Sequence, residues 1–355
     1  MQIEENQPLA PYTTFGIGGP ARWFAHAVSE DDVAEAAQWA REHGVPLFVL
    51  GGGSNLLVAD AGFDGLVLHV ELCGIMRDRD GDAALYRVAA GEDWDKFVQR
   101  AVDENCAGIE CLAGIPGTAG GTPVQNVGAY GQEVASVIER VRAFDLAACA
   151  FVEFSNAECA FAYRHSRFNA SARGRYVVTR VDYRLIEGGA PTIRYADLQR
   201  QFADAPQPTL RDVAEAVRRI RAGKGMLLVE GDADCHSAGS FFKNPVVTHE
   251  QLQVVVAAAE KEPPRFPAGA DTAESVKIPA AWLIEQAGFV KGYARGPVAI
   301  SSRHTLALTN RGGATAEDVL ALAREIRGAV EGRFGVRLEM EPVLLGFPDQ
   351  DGLSR

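Results

Sequence analysis

Apolar positions in the first third of the chain follow two alternating rhythms. Over residues 22–28 they bunch into a short run of the kind a strand makes; after Ser29 the spacing changes, and Val33, Ala36, Ala37 and Ala40 fall three and four apart, on one face of a helix. Ser29 with Asp32 three residues on predicts the cap of that helix, and Gly44 its end. Pro46 leads into an apolar strand, 47–50, which stops at Gly51, Gly52, Gly53, Ser54 and Asn55. Strands are predicted at 66–70 and 85–90, and a helix at 93–104.

The rhythm then breaks. Residues 113–131 read AGIPGTAGGTPVQNVGAYG, too rich in glycine for a regular helix or strand, since each glycine inside an element costs roughly 0.5–1 kcal/mol. Beyond it, 137–146, 151–154 and 176–185 predict antiparallel strands. Gly188, Gly189 and Pro191 mark a connection, a helix capped by Thr209 runs over 209–222, and Gly223-Lys224-Gly225 predicts a domain boundary. The C-terminal part predicts helices at 249–261, 280–287 and 315–332, the last capped by Thr315 with Asp318, and strands at 305–309 and 336–345. The pattern is α+β.

Length and composition fit that reading: 355 residues suggest two or three domains, and 47% hydrophobic with 23% charged residues is globular. The first ten residues carry neither a basic start nor an apolar stretch, and the longest strongly apolar run, 254–259, is too short to span a bilayer. A cytoplasmic protein with no membrane partner is expected. The six cysteines show no Cys-x-x-Cys pair or histidine spacing of a metal site, so reduced, mostly buried thiols and no metal are expected. A net charge of -12 argues against a nucleic-acid partner. It leaves room for a phosphorylated small molecule, because Arg211, Arg218, Arg219, Arg221 and Lys224 form a local basic excess; each alone also fits a solvated helix face.

The loop 51–55 follows a buried strand, so its backbone can approach an anion closely. Taken alone it reads equally well as a tight turn. It lacks the spacing of a phosphate-binding G-x-x-x-x-G-K-[ST] loop, and no G-x-G-x-x-G opens a helix after it. Two glycine-rich segments about sixty residues apart suit an extended dinucleotide such as FAD.

Those segments, LFVLGGGSNLLV and IPGTAGGTPVQNVGAYG, resemble the FAD-binding domain of the vanillyl-alcohol-oxidase superfamily, and in detail the UDP-N-acetylenolpyruvoylglucosamine reductase family. The likeness continues through Tyr163-Arg164-His165-Ser166-Arg167-Phe168, Ala238-Gly239-Ser240-Phe241-Phe242-Lys243-Asn244-Pro245 and Glu341, and so spans nearly the whole chain. The stretch around Tyr195-Ala196-Asp197-Leu198 is similar to a loop of the family's first subtype that places a tyrosine over the substrate.

The resemblance implies an α+β fold with a two-part FAD-binding domain at 1–190, completed by a C-terminal strand at 335–355. A substrate loop and connecting helix at 191–223 would then lead to a smaller α+β substrate-binding domain at 224–334. It implies a flavoenzyme of peptidoglycan synthesis that uses NADPH to reduce the enolpyruvyl group of a UDP-linked amino sugar. FAD, expected to be non-covalent, would lie against Gly51, Gly52, Gly53, Ser54, Asn55, Ile115, Pro116, Gly117, Gly121, Thr122, Gln125, Asn126, Gly128, Ala129, Tyr130 and Gly131. Hydride addition beside a carboxylate leaves enolate character, which calls for an arginine on the carboxylate, a protonated acid on the enolate oxygen and a hydroxyl to protonate carbon. By resemblance these are Arg164, Glu341 and Ser240, with Tyr163, Tyr195, Lys224, Asn244 and His304 binding substrate, Tyr163 of these lying beside the flavin. Read singly, Arg164 fits a structural arginine, Ser240 a turn or helix cap, and Glu341 a solvated strand face shared with Glu339.

Two departures stand out: Gly225-Met226 replaces a Leu-Pro-like turn, and Pro342 follows Glu341 where valine is expected. The rival readings are an alcohol oxidase of the same superfamily, which needs no diphosphate site, and a non-catalytic flavin- or nucleotide-binding module.

Overall fold

The computed structural model describes residues 1–204, 207–259, 261–267 and 275–348. The chain divides into two compact units, and it passes between them more than once: the first comprises Met1–Gln7, Ala21–Gly53 and Asp64–Gly223, the second Pro8–Pro20, Ser54–Phe63 and Lys224–Arg355.

The first unit holds two sheets. One is four-stranded, in the order Ile3–Pro8, Pro20–Ala27, Phe63–Val70, Leu47–Leu50, with Leu47–Leu50 parallel to its neighbour. The other is six-stranded: Ala150–Ser155, Ile138–Asp145, Tyr176–Glu187, Ala83–Ala89 and Ile75–Asp80 run antiparallel in that order, and Cys106–Ala107 joins the far end of Tyr176–Glu187. Helix Glu30–His43 forms where its signals predict. Ser29 and Asp32 make a reciprocal capping box, Gly44 ends it at φ +63°, and Val33, Ala36, Ala37 and Ala40 are buried. Helix Trp94–Asp103 is capped by Asp93, buries Val98, and packs Trp94 and Phe97 against Tyr86 and Tyr183 of the six-stranded sheet. Helix Leu210–Gly223 buries Val213, Ala214, Ala216 and Val217 in the same core.

The second unit has its own core, built on helix Ala316–Phe334 with Thr315 and Asp318 as a capping box and Gly335 ending it at φ +64°. Asp60 accepts from the amides of Ala316 (2.8 Å) and Glu317 (3.2 Å), which ties the segment 54–63 to the helix start. Small sheets surround that core: Val246–Thr248 with Ser275–Lys277 and Phe266–Pro267, Ala294–Arg295 with Val298–Ile300 and Leu308–Asn310, and Leu56–Val58 parallel to Val343–Leu345.

Several expectations change. The C-terminal strand, expected to complete the first domain, pairs with Leu56–Val58 inside the second unit, whereas 191–223 belongs to the first unit. The strand expected over 336–345 shrinks to Val343–Leu345. Pro342 has no amide to donate, and upstream of it the chain makes only a bridge, Phe242 to Met340. Helix His249–Ala258 stops short of the expected Lys261, and the strand expected at 305–309 is Leu308–Asn310. All six cysteines are free thiols, with Cys106, Cys111, Cys159 and Cys235 buried. Among the described residues no helix is long and apolar enough to cross a membrane.

Candidate active site

The two glycine-rich loops meet backbone to backbone. A Cβ on Gly51 would lie 2.9 Å from Thr118 Oγ1, and one on Gly52 would lie 2.6 Å from Gly117 Cα, so a side chain at Gly52 has no space. The second loop is tied down on its other side: Gly117 O accepts from Trp94 N at 3.1 Å, Ala119 N donates to Glu92 O at 2.8 Å, and Gly120 N donates to Ala90 O at 2.9 Å. Gly114 N donates to Asp95 Oδ1 at 2.6 Å, and Asp95 in turn receives both terminal nitrogens of Arg218. Thr122 Oγ1 lies 2.7 Å from the buried Tyr183 hydroxyl, so this predicted ligand residue also anchors the loop to the sheet.

Further along, non-glycine residues hold left-handed backbone at Asn126 (φ +46°), Tyr130 (φ +49°) and Arg164 (φ +54°). Such strain, of order 1–3 kcal/mol per residue, collects at functional sites. Its support is visible. Buried Asn126 donates to Glu133 Oε2 (2.9 Å) and Ala162 O (3.0 Å) and accepts from Ala135 N (3.1 Å). Ala162 and His165 exchange two backbone hydrogen bonds, which puts Tyr163 and Arg164 at the tip of a two-residue turn. Arg164 then reaches back: Nη2 donates to Gly128 O at 2.8 Å and Nη1 to Asn126 O at 3.5 Å, with the guanidinium 5.3 Å from the Tyr163 ring centre. The Tyr195 ring, 41% exposed, meets Tyr130 edge to face at 5.2 Å. Arg164, Tyr163 and Tyr195 are therefore gathered around the second glycine-rich loop.

Two residues outside the sequence-derived set hold this loop. Glu110, wholly buried, accepts from Gly108 N, Gln132 Nε2 and Thr192 N at 2.7–2.8 Å. Arg221, 7% exposed, donates from Nε to Gly114 O at 3.0 Å and also hydrogen-bonds Tyr130; burial lowers its proton affinity, opposed by Tyr130 and Asp95. Its place in a basic run was the one signal available for Arg221. Glu110 had none, because a lone glutamate among apolar residues does not announce its partners.

In the second unit Asn55 joins Glu341: Asn55 Nδ2 donates to Glu341 O at 3.2 Å, and Val343 N donates to Asn55 O at 2.9 Å. Lys243 N to Glu339 O and Glu341 N to Phe241 O, both 2.9 Å, pair the string around Ser240 with the segment bearing Glu341. Ser240 is half-buried, follows Gly239 at φ +72°, and caps no helix among the described residues. Asn244 Oδ1 accepts from Ala280 N at 2.9 Å and so caps helix Ala280–Gln286, which leaves its amide nitrogen as the group to offer a ligand.

Gly225 explains one departure. It sits at φ +63°, and a Cβ there would come 3.0 Å from Arg303 Nε and from Asp234 Cβ, so glycine suits this turn beside Lys224. Asp234 accepts from Ser302, Arg303 and Arg311. Burial acts to raise its carboxyl, but the hydrogen bonds from Ser302 and Arg303 outweigh it and hold it at about 2. His304 lies in the adjoining turn, its amide donating to Ser301 Oγ at 3.2 Å.

A profile described as "UDP-N-acetylenolpyruvoylglucosamine reductase, C-terminal domain" matches residues 231–345, and one described as "FAD binding domain" matches 21–152. The UDP-N-acetylenolpyruvoylglucosamine reductase of Streptomyces coelicolor is 49% identical over 98% of this chain and 91% of its own length. The chain belongs to the UDP-N-acetylenolpyruvoylglucosamine reductase family. The Thermobifida fusca reductase is 47% identical over 96% of this chain and 97% of its own. The crystal structure of the Thermus caldophilus reductase aligns with a TM-score of 0.66 at 27% identity, over 97% of this chain and 99% of that one. Family membership, with the FAD-binding match, makes this chain an α+β, FAD-dependent oxidoreductase, as the resemblance implied.

Proposed function

We propose that this chain reduces UDP-N-acetylglucosamine enolpyruvate to UDP-N-acetylmuramate in the cytoplasm, as a step of peptidoglycan precursor synthesis, with NADPH as hydride source and FAD held without a covalent bond. The observation that carries the reading is the pairing of Phe241–Lys243 with Glu339–Glu341, which sets a hydroxyl and a carboxyl on adjacent backbones in a chain of this family.

The loops fit the flavin: an added Cβ on Gly52 would come 2.6 Å from Gly117 Cα, so the two glycine-rich segments lie close enough for their backbones to face one extended ligand. These residues would hold FAD, and the chemistry it would supply there is transfer of a hydride from NADPH to the terminal carbon of the enolpyruvyl group.

The remaining work falls to side chains. Arg164 has five donors, of which two are fixed on Asn126 O and Gly128 O; these orient the guanidinium so that it can clamp the substrate carboxylate. Glu341, kept protonated, donates to the developing enolate oxygen, and Ser240 delivers a proton to the adjacent carbon. Lys224 offers a point charge to the diphosphate, with His304 near it, while Tyr195 covers the sugar nucleotide and Asn244 gives an amide contact.

The visible spectrum tests this directly. Purified protein is yellow, acid precipitation releases the colour into the supernatant, NADPH bleaches it without oxygen, and the enolpyruvyl sugar nucleotide restores it. Colourless protein that FAD cannot reconstitute, or bleached protein that the substrate leaves bleached, would defeat the proposal.

A further inference from the structure

Strands Pro20–Ala27 and Phe63–Val70 are neighbours in the four-stranded sheet, and their pairing brings His26 beside His69 and Glu71, which are two residues apart at the end of the second strand. His26 Nδ1 lies 2.7 Å from Glu71 Oε2 and His69 Nδ1 lies 3.3 Å from Glu71 Oε1, so two imidazoles bracket one carboxylate. One ligand atom from each residue lies within 4.8 Å of the other two. The side chains are shielded without being sealed, at 37%, 17% and 40% exposure for His26, His69 and Glu71. Phe24 packs against both rings, edge-on to His26 at 5.0 Å and tilted to His69 at 6.1 Å, which holds their planes.

We propose that His26, His69 and Glu71 form a binding site for a divalent transition-metal ion of the zinc class. None of the three belongs to the residues assigned to flavin or sugar nucleotide.

Two imidazoles and one carboxylate make a donor set for zinc and its neighbours, and not for magnesium or calcium, which take oxygen ligands. Bonds of about 2 Å in a tetrahedral site set the donors about 3.3 Å apart; His69 and Glu71 already stand at that spacing, and His26, 2.7 Å from Glu71, has to move back slightly, which a small side-chain rotation can supply. Metal ligation needs neutral imidazole. The partly exposed Glu71 leaves an entry path and room for water as fourth ligand. Cysteine and histidine spacing led to the expectation of no metal; a site made across two strands leaves no such spacing to read. Because the triad exists only in the folded sheet, a bound ion stabilises the fold by mass action.

The test uses the full chain, stripped with EDTA and then titrated with zinc chloride by calorimetry, with magnesium chloride as comparison and thermal unfolding as second readout. One zinc per chain is expected, with a higher Tm and no heat from magnesium. His26→Ala and Glu71→Gln, both at partly exposed positions, should each weaken zinc binding by about tenfold or more and abolish the Tm rise, while unfolding in EDTA as the parent does. Cys73→Ser removes the exposed thiol whose Sγ contacts Glu71 O at 3.4 Å and should change neither readout. Absence of stoichiometric zinc binding overturns the proposal. So does zinc binding that survives both ligand substitutions, or that is lost with Cys73→Ser.

Discussion

The amide of Glu341 donates to the carbonyl of Phe241 at 2.9 Å, which places the glutamate one residue off register from Ser240 on the facing segment. Pro342 and the left-handed Gly239 lie at the same end of the pairing, just beyond Glu341 and Phe241, so regular strand alternation does not dictate how the Ser240 and Glu341 side chains point. The arrangement makes Ser240 and Glu341 neighbours in one local structure, and the roles proposed for them belong to the half-reaction with substrate.

Ser240→Ala should leave FAD reduction by NADPH near its normal rate in stopped flow. Anaerobic reoxidation by the enolpyruvyl substrate should slow by roughly 100-fold to 10,000-fold, the span typical of a lost general acid. Ser240→Cys should retain more activity than the alanine form. Equal slowing of both half-reactions, or of neither, removes Ser240 from the chemistry.

Gly52→Ala should lose FAD, because the added carbon lies 2.6 Å from Gly117 Cα and must push the two loops apart. Gly44→Ala is the control. It meets nothing within 4 Å, and its φ of +63° costs only about 1–2 kcal/mol of stability, with flavin content unchanged. The flavin-to-protein absorbance ratio, read beside urea unfolding, separates the two.

Lys224→Ala should raise KM for the phosphorylated substrates more than it lowers turnover at saturation, the signature of lost uniform binding. Tyr195→Ala should act on the sugar nucleotide in the same sense, since its ring lies on Tyr130 and not on a proton-transfer group. Unchanged KM values for both variants would contradict the assignment.

Asp234 gives a pH prediction. Its folded value of about 2 lies below the ordinary 3.8, so the carboxylate's contribution to stability is fully present above pH 4 and is lost as pH falls through 2. Asp234→Asn should therefore lower stability near neutrality by roughly 2 kcal/mol, from about 1.4 kcal/mol per pKa unit, and flatten the loss between pH 4 and pH 2. Urea unfolding across that range checks it.

The sequence was most legible where a signal and its consequence lie within a few residues. The boxes Ser29/Asp32 and Thr315/Asp318 and the stops at Gly44 and Gly335 operate within one turn, and the helices they frame form as predicted. The glycine-rich loops were readable as loops, but their contact at Gly52 and Gly117 depends on how the strands before them are placed. What could not be read was pairing at long range: 336–345 carries strand-forming residues, yet its partners are Phe241–Lys243 and Leu56–Val58, and Pro342 divides the two. Glu110 is the same problem in miniature, its three donors spread from Gly108 to Thr192.

The passage of the chain back and forth between two units bears on biosynthesis. Leu56–Val58 leaves the ribosome early and pairs with Val343–Leu345, and Asn55 bonds a glutamate 286 residues downstream. Throughout translation that strand edge and the apolar side chains beside it have no native partner, which is the condition under which nascent chains recruit chaperones or aggregate. A break after Gly223 leaves the first unit whole but yields a C-terminal piece lacking residues 8–20 and 54–63 of its own unit, among them buried Phe15, Ile17 and Leu57, so that unit has a complete core only once the N-terminal piece supplies them.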